Sequence, residues 1–364
     1  MAPVVLALRR VAGMETRVLL TGQHRHLLDQ ALAGFGIRGD ADLDVMRADQ
    51  TLSGLTARIL DALDPVLRQD PPALVVAQGD TTTVMATALA CFHRQIPFGH
   101  VEAGLRTGDL RYPFPEEFNR IVAGRTAALN FAPTEGARQA LLREGIAEDT
   151  IHVTGNTVID ALLDVAARSG GPPFDLPTGG RVMLMTMHRR ENFGAPAAGV
   201  LHAVRDLCAA FPDLTVVYPV HPNPNIRGPA EEALGSHPQV RLSPPLDYQA
   251  LVAVMRRATL VLTDSGGLQE EAPALGKPVL VLRTETERPE AVHLGVARLI
   301  GTERGRVVEE VSRLLRDPTA YAEMAKGVSP YGDGHAAMRI ARLVAAHLGV
   351  PAVDVADRPA WREA

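Results

Sequence analysis

Short runs of aliphatic and β-branched residues recur along the chain, each followed by a turn and then by a stretch with apolar residues at helical spacing. TRVLLT (16–21), ALVVAQ (73–78), PFGHVE (97–102), ALNFAP (128–133) and DTIHVTG (149–155) read as strands, with helices such as TTVMATALACFHR (82–94) between them. This alternation predicts parallel sheets covered by helices on both faces. The rhythm breaks at GGPPFDLPTGG (170–180) and restarts with RVMLMTMH, LTVVYPVH, TLVLTD and KPVLVLR. A Gly/Pro-rich interruption between two such series marks a boundary, so the expected layout is one α/β domain over 1–170, a second over 171–348 and a flexible tail over 349–364. The apolar spacing of HAAMRIARLVAAHL (335–348) makes a last helix that can pack back on the first domain. Ala2 to Val11 also reads as a helix, with Pro3 in its first turn, so the chain enters a doubly wound domain at a helix with no strand before it.

A length of 364 residues agrees with two domains. With 46% hydrophobic and 22% charged residues and a net charge of −5, the chain reads as a globular protein lacking an electrostatic footprint for nucleic acid or an acidic membrane. Its ligands are expected to be small. Cys91 and Cys208 lie in the apolar stretches ACFHR and LCAAF with neither CxxC spacing nor a histidine cluster, which predicts buried thiols in a reducing compartment, no disulfide and no metal site. There is no apolar run of 18 residues, and the arginines of MAPVVLALRR follow its apolar run instead of preceding it. The expected location is the cytoplasm.

GFGIRG (34–39) matches the spacing of the dinucleotide fingerprint, but that motif works only as strand, tight turn and helix in order. Here it follows the helical HLLDQALA and precedes the polar DADLD, so it reads as a helix C-cap, and no nicotinamide or other cofactor is assigned. Chemistry in open α/β sheets gathers at the carboxyl ends of strands. In the first half those ends are QGDTTT, with Asp80, and HVEAG, with Glu102. Asp80 can alternatively be read as the N-cap of the next helix, whereas Glu102 has no such structural reason. In YPFPEEFNR (112–120), Pro115 starts a helix, Glu116 and Glu117 lie in its first turn, and Arg120 stands four residues after Glu116, the spacing of an ordinary i,i+4 pair. A third carboxylate so soon after Glu102, delivered by the loop of Gly104, Arg106 and Gly108, favours function over surface pairing.

The second half supplies the opposite sign. TMHRREN ends a strand with His188, Arg189 and Arg190, and VYPVHPNPN ends another with His221. Two basic strand ends suggest an anionic ligand. In TLVLTDSGGLQEEAPALGKPVLV (259–281), a strand, a Ser-Gly-Gly turn and a helix follow in order, so that backbone amides can approach a pyrophosphate at a helix N-terminus. Glu271, in the first turns, can reach ribose hydroxyls, and Arg288 in TERPEAV is another phosphate candidate. Acids in one half and a diphosphate cradle in the other suit a nucleotide-sugar held between two domains.

Taken in order, HVEAGLRTGD, PFPEEFNR, TGNTVIDAL, HRREN, VYPVHPNPN, LTDSGGLQEEAPALGKPVLVLR and TERPEA resemble the non-hydrolysing UDP-N-acetylglucosamine 2-epimerases, from Met1 to about residue 345. The resemblance implies two Rossmann-like domains in the glycosyltransferase-B arrangement with an interdomain cleft, a homodimer, and cytoplasmic interconversion of UDP-GlcNAc and UDP-ManNAc for surface polysaccharide synthesis. It also implies Asp80, Glu102 and Glu116 as catalytic carboxylates, with their acid and base roles open, and His188 as an essential histidine near the diphosphate. Substrate contacts are implied for Arg106, Arg120, Ser265, Gly266, Gly267, Glu271 and Arg288, with uracil beside Leu246 and Leu251. Gln23, Arg189 and His221 match a second, activating substrate site of bacterial members.

C1 of a sugar nucleotide is an acetal, so nothing acidifies the C2 proton for simple exchange, and oxidation needs a nicotinamide. Elimination of UDP to a 2-acetamidoglucal, followed by re-addition with the proton on the other face of C2, needs carboxylates and a cradle that retains UDP. Members of the family open with a strand and a Gly-Thr-Arg-Pro-Glu loop that have no counterpart before Met1; the expectation is a miscalled or truncated start, weak UDP binding and a deficient first sheet. Three readings compete: a hydrolysing epimerase that releases UDP and ManNAc, a glycosyltransferase on the same fold, and a non-catalytic nucleotide-sugar binding protein.

Overall fold

In the computed structural model, which describes residues 1–22, 32–47, 49–286 and 288–351, the apolar runs pair as parallel strands in two main sheets. β1 (Leu19–Leu20) and β2 (Ala41–Asp42) form a short pair. β3 (Val75–Gln78), β4 (Phe98–Val101), β5 (Leu129–Ala132) and β6 (Ile151–Val153) make a four-stranded sheet in chain order. β7 (Arg181–Thr186), β8 (Leu214–Pro219), β9 (Val240–Ser243), β10 (Leu260–Thr263), β11 (Val279–Val281) and β12 (Ala297–Leu299) form a six-stranded sheet in the order β12-β11-β10-β7-β8-β9.

The chain divides into two units, Met1–Ala161 joined by the segment from Tyr331, and Leu162–Pro330. In the first unit, alternate residues of β4 face opposite layers. Phe98 packs with Leu63, Leu67, Val84, Ala88 and Cys91, and Val101 with Val4, Leu8, Ile340 and Val344. The helix Ala336–His347 thus lies against Ala2–Leu8 and completes the first unit. Its N-terminus is capped by Asp160, which accepts from the amides of Ala336 and Ala337 at 3.2 and 2.8 Å. That cap draws the first turn of the helix Thr157–Arg168 into the first unit, so the Gly/Pro segment 170–180 falls inside the second.

The second unit buries Met183, Met185, Val216, Tyr218, Leu260 and Leu262 against the helices Ala195–Ala210 and Arg304–Arg316. β9 and β12, which the apolar pattern does not predict, are the two edge strands of this sheet. An edge strand is covered less completely than the fully buried β10, so its sequence need not be a continuous apolar run. GFGIRG closes a helix: the amides of Phe35, Gly36 and Ile37 return to carbonyls of Leu32 and Ala33, and Gly36 takes a φ of +64°.

Candidate active site

At the end of β3 the chain turns through Gly79, with φ +87°, into Asp80. The cap of the following helix Thr82–Arg94 is Thr81, whose hydroxyl accepts from the Val84 amide at 3.4 Å. Asp80 is therefore released from capping. Its Oδ2 instead accepts from Nε and Nη2 of Arg120 at 3.0 and 2.6 Å, and its carbonyl accepts from the Asn119 side chain at 2.8 Å. The sequence spacing pairs Arg120 with Glu116, but the structure gives its remaining contact to Glu117 at 3.1 Å. Glu117 is buried, and its other oxygen accepts from the amides of Thr107 and Gly108 at 3.1 and 3.0 Å, pinning the GLRTGD loop. Glu116, one residue earlier, is half-buried and its carboxylate has no hydrogen bond among the described residues.

Glu102 follows β4 with a φ of +65°, a left-handed conformation that costs a non-glycine residue about 1–2 kcal/mol. Its carboxylate accepts from Gln78 at 3.3 Å and Asn156 at 3.5 Å. A Cβ built on Gly79 comes within 3.8 Å of Glu102 Oε2, so Glu102 and Asp80 share one end of the sheet. His100 ties the two strand ends together. Burial pushes its pKa down to about 4, so the ring is neutral and Nε2–H donates to the Gly79 carbonyl at 2.7 Å. Arg106 holds the loop that carries it. Its guanidinium donates to Glu144 at 2.7 and 3.0 Å and to the Leu105 carbonyl, so it braces the loop against the end of the helix Glu135–Arg143. Gln23 lies outside the described residues.

The second unit gathers its candidates around a cavity of about 240 Å³ at the ends of β7, β8 and β10. His188, His221, Leu246, Leu251, Ser265 and Glu271 line it. Beneath them, fully buried Asp264 accepts from the amides of His188 and Arg189 and from Asn192, each at 2.9 Å at its closest. His188 Nδ1 lies 3.1 Å from the same carboxylate, which fixes the ring and leaves Nε2 as the nitrogen open to a ligand. Burial acts to raise the Asp264 pKa, yet the His188 and Arg189 hydrogen bonds hold it below the usual carboxylate value. His221 stacks on His188 with ring centres 6.1 Å apart, and Arg189 Nε donates to the Asp264 carbonyl at 3.1 Å.

The helix Gly266–Ala274 opens directly beside this pair, with Ser265 at its N-cap. A Cβ on Gly266 would fall 2.6 Å from Arg288 Nη1, whereas one on Gly267 would meet nothing closer than 3.8 Å. The close approach of Arg288 thus requires the first glycine. Arg288 Nε donates to buried Glu270 at 2.5 Å, placing a paired guanidinium over a helix N-terminus, where the dipole favours an anion. Glu271 turns the other way and accepts from the Tyr248 hydroxyl at 2.6 Å; burial pushes its pKa up to about 7. Sequence reasoning missed Asp264, Tyr248, Glu270 and Glu117 as site builders. Only Asp264 carried a signal, standing at a strand end immediately before the Ser-Gly-Gly turn.

A family model described as UDP-N-acetylglucosamine 2-epimerase matches residues 6–345. The chain belongs to the UDP-N-acetylglucosamine 2-epimerase family. It is 49% identical over 351 residues to the UDP-N-acetylglucosamine 2-epimerase of Escherichia coli strain K12, covering 93% of each chain. Among solved structures of the family it is similar to the UDP-GlcNAc 2-epimerase of Neisseria meningitidis bound to UDP-GlcNAc, with a TM-score of 0.85, 41% identity and coverage of 94% and 95% of the two chains. The epimerase fold extends to the glycosyltransferase SnogD of Streptomyces nogalater, at a TM-score of 0.55 and 20% identity over 94% of each chain. Among the described residues no helix is long and apolar enough to cross a membrane, and no cluster of His, Cys, Asp and Glu is arranged to hold a metal ion.

Proposed function

We propose that this family member is a non-hydrolysing epimerase that interconverts UDP-N-acetylglucosamine and UDP-N-acetylmannosamine. The observation that carries the reading is the cradle of the second unit, where His188 fixed by Asp264, the Ser265–Gly266–Gly267 helix start and Arg288 come together. Such a cradle favours a diphosphate both as substrate and as leaving group. A carboxylate from among Asp80, Glu102 and Glu116 takes the C2 proton while the C1–O bond breaks and its electron pair leaves with UDP. The resulting 2-acetamidoglucal has a C1=C2 double bond. Return of the UDP oxygen to C1 and delivery of a proton to the opposite face of C2 complete the exchange.

Arg120 holds the Asp80 side chain in place through two hydrogen bonds, and Gln78 and Asn156 orient Glu102. His188 and Ser265 contact the diphosphate, Glu271 the ribose, and Leu246 and Leu251 the base, while Arg189 and His221 serve a second, activating substrate molecule. Retention of UDP favours the non-hydrolysing reaction, and the protein works as a cytoplasmic homodimer feeding surface polysaccharide synthesis. The test is incubation with UDP-GlcNAc in deuterium oxide. Deuterium at C2 of recovered UDP-HexNAc, with UDP-ManNAc formed, is the expected result. Free ManNAc and stoichiometric UDP would make the enzyme a hydrolysing epimerase, and absence of C2 exchange would remove the epimerase reading.

A further inference from the structure

Two adjacent acids in the second turn of the helix Gly266–Ala274 are held in opposite directions. Glu270 is drawn to Arg288 at 2.5 Å, and Glu271 to the Tyr248 hydroxyl at 2.6 Å. Tyr248 and Glu271 line the same cavity, together with Leu246 and Leu251 from the Tyr248 segment. Tyr248 is itself firmly placed. It is the first residue of the helix Tyr248–Arg257, whose cap, Asp247, accepts from the Ala250 amide at 2.8 Å. A glutamate has three side-chain torsions, and Arg288 is a competing partner close to Gly266, so burial alone does not decide where the Glu271 carboxylate points. The phenol decides it. It occupies one lone pair of Oε1, leaving Oε2, near Gly267, and the rest of the acceptor set for hydroxyl donors entering the cavity.

We propose that Tyr248 is a positioning residue that aims Glu271 at the ribose hydroxyls of a bound uridine nucleotide and thereby sets a preference for ribo- over 2′-deoxyribonucleotides. This rests on the reading that Glu271 takes the ribose. A pocket built to accept a hydroxyl proton discriminates against the ligand that lacks it, because the acceptor is then left unpaired.

The experiment titrates the full chain with UDP and with 2′-deoxy-UDP by calorimetry, for the wild type, Tyr248→Phe and Glu271→Gln, alongside steady-state kinetics with UDP-GlcNAc. The wild type is expected to bind UDP about tenfold tighter than 2′-deoxy-UDP, the preference worth one hydrogen bond. Tyr248→Phe keeps the ring and its packing, and is expected to bring the ratio to within about twofold of unity. Its KM for UDP-GlcNAc should rise more than its kcat falls, the pattern of lost ground-state binding. If Tyr248→Phe keeps the tenfold ratio while Glu271→Gln abolishes it, Tyr248 does not position Glu271 and the proposal is overturned with the ribose reading intact. If Glu271→Gln also keeps the ratio, the ribose reading itself fails. A lower melting temperature for Tyr248→Phe with an unchanged ratio would mark a purely structural tyrosine and likewise overturn the proposal.

Discussion

A carboxylate that solvent does not reach, Asp264, decides which way His188 faces. Asparagine is nearly the same shape but offers one acceptor oxygen instead of two to the His188 and Arg189 amides and the His188 ring. Asp264→Asn is expected to lower kcat by about 10²–10⁴, by analogy with other histidines that lose an orienting aspartate, while circular dichroism stays native. Glu102 makes the converse case. Its left-handed backbone suits glycine, so Glu102→Gly should leave the melting temperature unchanged or a few degrees higher while activity disappears. A thermal scan beside a turnover assay checks both. His100 adds a pH dependence. The unfolded chain protonates it near 6.5 and the folded protein only near 4, so the stability tied to the neutral ring is complete above pH 6.5 and declines as pH falls towards 4. The decline is about 3 kcal/mol at most, and urea titrations between pH 4 and 6.5 should show it in the wild type and much less in His100→Gln.

At the level of elements, the candidate site depends on strand ends joined to helix starts. Gly266→Ala would place a methyl group 2.6 Å from Arg288 Nη1 and displace the guanidinium, the far end of a flexible side chain, from its place over the helix start. The expected result is a rise of about tenfold or more in KM for UDP-GlcNAc with an intact fold, read by kinetics and circular dichroism. Such junctions explain what was legible in the sequence. Asp80, Glu102, His188 and the Ser-Gly-Gly turn could be placed because a parallel sheet puts strand ends on one side, and a run such as LVLTDSGG shows where a strand stops. The partners were not legible. Arg120 spans 40 positions to reach Asp80, and Tyr248 spans 23 to reach Glu271, so no local spacing announces either pair. Glu117 and Glu116 are adjacent and chemically identical, and only the helix direction separates the buried loop anchor from the half-buried acid.

For the whole molecule, the first unit draws its core from both ends of the described chain. Val4, Leu8 and Val11 pack with Ile340, Ala341 and Val344, so a substitution late in the sequence should be felt early in it. Ile340→Ala removes a fully buried side chain and is expected to cost about 2–5 kcal/mol. Hydrogen exchange locates the loss: faster exchange is expected in Ala2–Leu8 and β4, with β7 and β8 unchanged.

The returning helix also sets an order of events on the ribosome. Ala2–Leu8 emerges before the second sheet, but the helix that covers it, Ala336–His347, is made only after every described strand of that sheet. At ordinary rates of translation its apolar face waits on the order of tens of seconds for its partner. The first unit is thus completed only after the second has been made, and the nascent chain carries an uncovered greasy surface throughout synthesis of the second unit. Its vulnerability to aggregation, and its need for holding chaperones, should therefore peak before the helix Ala336–His347 leaves the exit tunnel.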